Sequence, residues 1–288
     1  MIPDVDNDSL VYLNGQYKKL SEATVSVLDR GFIFGDGIYE VVPAYQGKPF
    51  RMTEHLARLE RSLKALEIVN PLTGDQWRQM IQQLLEPFGT RDAMVYLQIT
   101  RGVARRDHAF PVHAPEPTVF GMASPLSRPS QEQRSSGLSV IAITDERWLH
   151  CDIKSVSLLG NVFAKQQAVR AGVDEVVQFR DGFMTEGASC NIWVVRNGTL
   201  LAPPRNTLIL EGIRYGFMQE LAEAAGIAFE ARPITRAEVE SADELMLTSA
   251  TKEVLPITRY DNKPVGSGVP GPVYTLLRAG YDTALAAL

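Results

Sequence analysis

The chain has 288 residues, 45% hydrophobic and 22% charged, which is enough apolar material for packed cores and, at roughly 150 residues each, for about two domains. Its formal net charge of −5 excludes the basic stripe that binding to nucleic acid through counterion release requires. Two cysteines, Cys151 and Cys190, are too few for a disulfide scaffold or a zinc site, no apolar run nears the roughly 18 residues of a membrane span, and Met1 to Leu10 has no basic region followed by an apolar stretch, so a cytoplasmic protein without metal is expected.

Short β-rich runs from Leu10 to Tyr17 and from Gly37 to Phe50, broken by Asn-Gly and Gln-Gly-Lys-Pro, predict antiparallel hairpins first. Leu56, Leu59, Leu63 and Leu66 recur at helical spacing behind Thr53, the expected N-cap, with Glu54 in the first turn. A second helix is expected from Thr73-Gly74-Asp75, carrying Trp77, Met80, Ile81, Leu84 and Leu85, and Ala93 to Arg101 follows as a buried strand. The stretch 123–137 holds Pro125, Pro129 and several serines with almost no large apolar residue, the composition of a linker between an N-terminal domain (1–122) and a C-terminal one (138–288). Beyond it come a strand (Leu138 to Thr144), a helix (Asn161 to Ala171), a strand (Glu175 to Arg180), a hairpin (Asn191 to Val195 with Thr199 to Ala202), a helix from Ile213, a strand (Glu244 to Ser249) and a last helix (Pro272 to Leu285). Strands and helices in this order suit two α+β domains better than one doubly wound sheet.

Within the second half, Lys154 stands among apolar and small residues in Cys151-Asp152-Ile153-Lys154-Ser155-Val156, just before a helical pattern. A lysine amine becomes a nucleophile towards an aldehyde when partial burial disfavours the ammonium, so this position suits a residue that carries a cofactor as a Schiff base. Downstream, Glu186 in Met184-Thr185-Glu186-Gly187-Ala188-Ser189-Cys190-Asn191 is pinned between a strand and a glycine turn, where a carboxylate can face a cationic partner.

Taken in order, Asp152 to Asn161, Thr185 to Asn191, Gly212-Ile213 and Thr248-Ser249-Ala250-Thr251 resemble the fold type IV pyridoxal-phosphate enzymes, over nearly the whole chain. The resemblance implies a two-domain α+β fold with pyridoxal 5'-phosphate at the domain interface, Lys154 bonded to the cofactor and Glu186 paired with its ring nitrogen. It also implies a phosphate site built from Arg58, Gly212, Ile213, Thr248, Ser249 and Thr251, with Ser189 as a further cofactor-binding residue. Here the chain departs from the family pattern of glycine, apolar residue, threonine, arginine: it has Gly212-Ile213-Arg214-Tyr215, so one hydroxyl is lost and Arg214 is expected either to join the phosphate cup or to turn outward. Trp148 is a further expected wall of the cofactor pocket.

Arg106 and His108, one residue apart before Phe110-Pro111, resemble the D-amino-acid aminotransferases in particular. There an arginine, a histidine and a tyrosine matching Tyr39 would hold the substrate α-carboxylate with charge-assisted donors, and so fix which enantiomer presents its Cα–H to Lys154. Arg105, beside Arg106, leaves the register of this match open. The implied activity is ping-pong transamination of D-amino acids of the D-alanine type with 2-oxo acids such as 2-oxoglutarate or pyruvate. The implied assembly is a homodimer in which the loop bearing Arg106 and His108 reaches the neighbouring active site. The alternatives are a branched-chain L-amino-acid aminotransferase, which does not need that pair, and aminodeoxychorismate lyase.

Overall fold

The computed structural model describes residues 6–288; the first five, part of the stretch expected to lack a leader, lie outside the described residues. Two compact units emerge, one running through Ser127 and taking in the later segment Ile153–Ser157, the other made of Arg128–Asp152 and Leu158–Leu288. Among the described residues no helix is long and apolar enough to cross a membrane.

In the first unit the order is β1 (Leu10–Leu13), β2 (Gln16–Lys19), α1 (Arg30–Phe34), β3 (Gly37–Tyr45), β4 (Lys48–Pro49), α2 (Met52–Ala65), α3 (Gly74–Leu85), β5 (Ala93–Thr100) and β6 (Thr118–Pro125). Asn14 and Gly15 both take positive φ, as a two-residue hairpin between β1 and β2 requires. The six strands pair antiparallel throughout, in the order β2-β1-β6-β5-β3-β4. Alternation splits the sheet into two faces: Val95, Leu97 and Ile99 of β5 are buried against Leu59 and Leu63 of α2 and Met80, Ile81 and Leu84 of α3, while Tyr96 and Gln98 face the half-open side. Each of these fully buried aliphatic side chains contributes about 1.5–3 kcal/mol.

Helix α2 differs from expectation at its start. Arg51, in the left-handed region at φ 55°, occupies the N-cap without a side-chain cap, and the Thr53 hydroxyl instead accepts from Arg78 at 3.3 Å. The tight exit from β4 fixes that backbone, so the helix begins before the threonine could cap it. At α3, which starts where expected, Thr73 and Gln76 form a reciprocal capping box.

The stretch expected to be a linker is structured. Ala123 to Pro125 complete β6 by pairing with Ala93 to Val95, and α4 (Gln131–Ser136) follows behind Ser130, which caps it with Gln133. Ser130 satisfies a helix-end amide instead of leaving coil, and the division between units falls at Ser127/Arg128.

The second unit continues with β7 (Leu138–Thr144), α5 (Leu159–Ala171), β8 (Glu175–Arg180), β9 (Phe183–Met184), β10 (Asn191–Arg196), β11 (Thr199–Ala202), α6 (Ile213–Ala224), β12 (Phe229–Ala231), α7 (Arg236–Glu240), β13 (Glu244–Ser249), β14 (Glu253–Tyr260), β15 (Lys263–Pro264) and α8 (Pro272–Ala286). Its strands run in the order β12-β11-β10-β13-β14-β7-β8-β9, with β15 on β14. The sheet is mixed: β7 lies parallel to both β14 and β8. Ile192 and Val194 of β10 join the core of Leu245, Leu247 and Leu255, whereas Trp193 points the other way and meets Tyr215 of α6 at 5.1 Å between centroids. Phe217 of α6 and Tyr281 of α8 meet edge to face at 5.1 Å. β14, an interior strand, is not expected from the sequence, because Pro256 in its middle argues against a ladder position.

Candidate active site

Lys154 belongs to the first unit, not to the C-terminal domain in which its sequence number placed it. Its segment lies along the start of β3 as a short antiparallel partner: the Tyr39 amide donates to the Lys154 carbonyl at 2.9 Å, the Val156 amide to Gly37 at 3.0 Å, and Ile38 bridges Ser155. The Lys154 amide donates to Ser62 Oγ at 3.3 Å. Gly37 is required where β3 lies against β5, since a Cβ there would sit 2.5 Å from the Ile99 carbonyl oxygen. The amine of half-buried Lys154 lies 4.1 Å from the centroid of the Tyr39 ring and, among the described residues, makes no ion pair with a carboxylate.

Next to Tyr39 in β3, Glu40 is buried and accepts from Arg58 Nε at 2.7 Å, from Arg58 Nη2 at 2.9 Å and from His55 Nδ1 at 2.8 Å. Burial alone would push this carboxyl up; the Arg58 guanidinium and the His55 contact hold it far below the usual range, so it stays an anion. Helix α2 supplies both partners because residues 55 and 58 share one face at a three-residue spacing. The fork of Arg58 is thereby aimed by Glu40. Neither Glu40 nor His55 stands out in the sequence, although a carboxylate in an otherwise apolar strand signals a buried cation nearby.

Arg106 and His108 lie on the exposed loop after β5, where the Arg106 guanidinium stands 5.6 Å from the Phe34 ring centroid and the His108 ring 5.3 Å from it. Beneath the loop, Arg30 donates through Nη1 to the carbonyls of Asp107 at 2.6 Å and Ala109 at 3.3 Å, and Arg101 stacks 3.7 Å from the Phe110 ring centroid. Asp36 ties Arg30 and Arg101 together at 2.7 Å each. Burial would raise Asp36, but these two cations hold it below its ordinary value. Tyr39 stacks on Tyr96 at 5.8 Å, and among the described residues no hydrogen bond or ring contact joins it to Arg106 or His108.

In the second unit, Glu186 is buried and its carboxylate accepts from the Leu210 amide at 3.2 Å, from Asn191 Nδ2 at 3.2 Å and from Arg147 Nη1. Burial pushes it above the usual carboxylate range against the pull of Arg147. A carboxyl raised in this way is matched to share a proton with a pyridine nitrogen. Asn191 also donates to the Leu210 carbonyl at 2.8 Å, and Gly212, where a Cβ would lie 2.2 Å from Asn191 Oδ1, leaves room for that carboxamide. Gly212 is also the N-cap of α6, a twelve-residue helix whose first amides suit an anion. An amine free to bond an aldehyde, a raised buried carboxyl and a helix N-terminus opened by a glycine fit pyridoxal phosphate in chemistry.

The remaining predicted cofactor residues are less uniform. Arg214 is buried and does not turn outward: its Nε donates to the Tyr281 hydroxyl at 2.8 Å and its Nη2 to the Ala250 carbonyl at 3.2 Å, so it props the 249–251 turn from behind. Thr248 is buried with its hydroxyl accepting from Trp193 Nε1 at 2.9 Å, and Ser249 Oγ accepts from the Lys252 amide at 3.0 Å. Ile213 opens α6, Ser189 is exposed and Thr251 is half-buried at the turn. Trp148, 44% exposed, meets His150 at 5.4 Å. Reasoning from the sequence misses Arg147, Asn191, Glu40 and His55.

Residues 37–260 match the family model for class IV aminotransferases. The chain is 37% identical over 272 residues to a D-alanine aminotransferase of Staphylococcus haemolyticus, covering 94% of this chain and 96% of that one. It is 40% identical over 263 residues to a D-alanine aminotransferase of Bacillus licheniformis, covering 91% and 92%. Among solved structures it is similar to a T.th. branched-chain amino acid aminotransferase with pyridoxamine 5'-phosphate, with TM-score 0.90, 26% identity and coverage of 96% and 94%. An Escherichia coli branched-chain aminotransferase at TM-score 0.91 and 22% identity, with coverage of 96% and 95%, shares the fold.

Proposed function

We propose that this chain, which belongs to the class IV aminotransferase family, transaminates D-amino acids of the D-alanine type with 2-oxo acids such as 2-oxoglutarate or pyruvate, using pyridoxal 5'-phosphate. The observation that carries the reading is identity of 37–40% to D-alanine aminotransferases over more than nine-tenths of the chain. The cofactor, when bound, supplies an electron sink for the charge that develops at the substrate Cα.

In this reading Lys154 Nζ is the covalent anchor and, once released by the substrate amine, the base that takes the Cα proton and returns it on the cofactor side. Its backbone pairing with β3 fixes where that nitrogen can reach. Glu186 keeps a proton on the ring nitrogen, Arg58 and the first amides of α6 at Gly212 and Ile213 receive the phosphate, and Ser189, Ser249 and Thr251 line it. Thr248 and Arg214 support that lining from behind.

Tyr39, Arg106 and His108 hold the substrate carboxylate. That Arg106 and His108 are exposed and touch neither Tyr39 nor Lys154 within the chain supports a homodimer in which the loop serves a neighbouring site. The protein is expected in the cytoplasm.

The test mixes purified enzyme with D-alanine or L-leucine, with and without 2-oxoglutarate, and follows the oxo-acid product and the visible cofactor band. D-alanine-dependent glutamate formation is the expected result. Turnover of L-leucine alone would overturn the substrate assignment in favour of branched-chain transamination.

A further inference from the structure

Asp145, Arg147 and Glu186 form a buried row in the second unit. Arg147 gives Nε to Asp145 Oδ1 at 2.9 Å and Nη2 to Asp145 Oδ2 at 2.8 Å, a bidentate grip that leaves Nη1 for Glu186. Asp145 is in turn held by the Thr185 hydroxyl at 2.8 Å, by the Arg147 amide at 3.0 Å and by Arg180 at 3.2 Å. The plane of the Arg147 guanidinium is therefore set by Asp145, and its free corner is fixed on one oxygen of Glu186. The other oxygen takes neutral donors, Asn191 and the Leu210 amide.

We propose that Arg147, oriented by Asp145, is a positioning residue that stabilises the carboxylate form of Glu186 and so leaves the proton shared between Glu186 and the cofactor on the ring nitrogen. The inference rests on the reading of Glu186 as the ring-nitrogen partner. In a buried site a proton between a carboxylate and a pyridine settles according to how well the surroundings stabilise each ion. Without a cation beside it, Glu186 would keep the proton and the ring would be neutral. At an effective dielectric near 20, a guanidinium in contact lowers the titration midpoint of such a carboxyl by about 1 to 3 on the pH scale once the opposing charge of Asp145 is counted. The charges facing Glu186 are Arg147 in its favour and Asp145 against.

The test reconstitutes wild type, Arg147→Met, Arg147→Lys, Asp145→Asn and Glu186→Gln with cofactor labelled with ¹⁵N in the ring and records the ring nitrogen resonance. In Arg147→Met the resonance is expected to move most of the way to the neutral-pyridine position and in Arg147→Lys less; in Asp145→Asn the lost grip on Arg147 and the lost opposing charge act in opposite directions, so the shift is expected to be small beside that of Arg147→Met. Melting of the apoproteins against pH gives a second readout that needs no cofactor. Since burial raises Glu186, its contribution to stability is full below the unfolded value of 4.5 and is lost as pH rises through the folded value. That loss should extend to higher pH in Arg147→Met. If Glu186→Gln leaves the resonance in place, the assignment of Glu186 fails. If Glu186→Gln moves it and folded Arg147→Met does not, the role of Arg147 fails. Should Arg147→Met not fold, Arg147→Gln, which keeps a polar donor but not the charge, takes its place with the same two outcomes.

Discussion

Replacing Glu40 by glutamine isolates what aims Arg58. The side chain is buried, and three charge-assisted contacts converge on it, two from Arg58 and one from His55 at 2.7–2.9 Å. Glutamine keeps the shape but removes the anion and turns an N–H towards the donors, so the buried Arg58 guanidinium loses its ion pair with Glu40. Breaking a buried ion pair on one side costs about 3–5 kcal/mol. At about 3 °C per kcal/mol for a unit of this size, the apoprotein should melt about 10 °C lower, with the urea midpoint falling in step. The wild type carries a pH signature of the same pair. Because Glu40 is held below its ordinary value of 4.5, the stability it contributes is complete above that pH and is lost as pH falls towards the folded-state value; E40Q should be flat over that range. Inorganic phosphate, able to supply the missing charge to Arg58, should stabilise E40Q more than it stabilises wild type. An E40Q protein within about 1 kcal/mol of wild type, or one that phosphate does not favour, would refute the argument.

Lys154→Ala should lose at least about 10⁴-fold in turnover and take no label from borohydride, with the fold intact by circular dichroism. Arg106→Gln should lower kcat/KM for D-alanine by about 10- to 150-fold, the value of a charged hydrogen bond, while the melting temperature stays put because the side chain is exposed. Gly212→Ala puts a Cβ 2.2 Å from Asn191 Oδ1, so the carboxamide must give up its bonds to Leu210 and Glu186; a loss of about 1–3 kcal/mol and weaker cofactor retention on dialysis are expected. Gly37→Ala meets backbone, the Ile99 carbonyl oxygen at 2.5 Å, and should cost more stability than Gly212→Ala in the same urea titration.

Much of the framework is legible in the chain because it depends on local patterning. The leucines of α2, the start of α3 at Thr73 and the Asn-Gly hairpin each carry their own signal within a few residues. What escapes depends on distant partners. β14 hides behind Pro256, tolerable inside the sheet only because its neighbours supply the pairing, and the serines of 123–137 look like coil until Ser130 meets the amide of Gln133. Lys154 stands out as the reactive residue from its surroundings, yet its attachment to β3 runs through backbone amides, which spacing does not record. Arg147, Glu40 and His55 do not stand out for the same reason: a buried ion takes its meaning from a partner far along the chain, as with Arg147 and Glu186. Arg214 is visible as a departure, but whether it faces ligand, solvent or Tyr281 is decided only once α8 is in place.

The loop after β5 is tied down by hydrogen bonds to its peptide carbonyls, from Arg30 to Asp107 and Ala109, while Arg106 and His108 touch the unit through ring and cation contacts on Phe34. Those hydrogen bonds remain whatever side chains positions 106 and 108 carry. On the carboxylate role proposed for Arg106 and His108, exchanging them would retarget the enzyme towards amines without a carboxylate, or towards the opposite hand, while that backbone mount stays as it is.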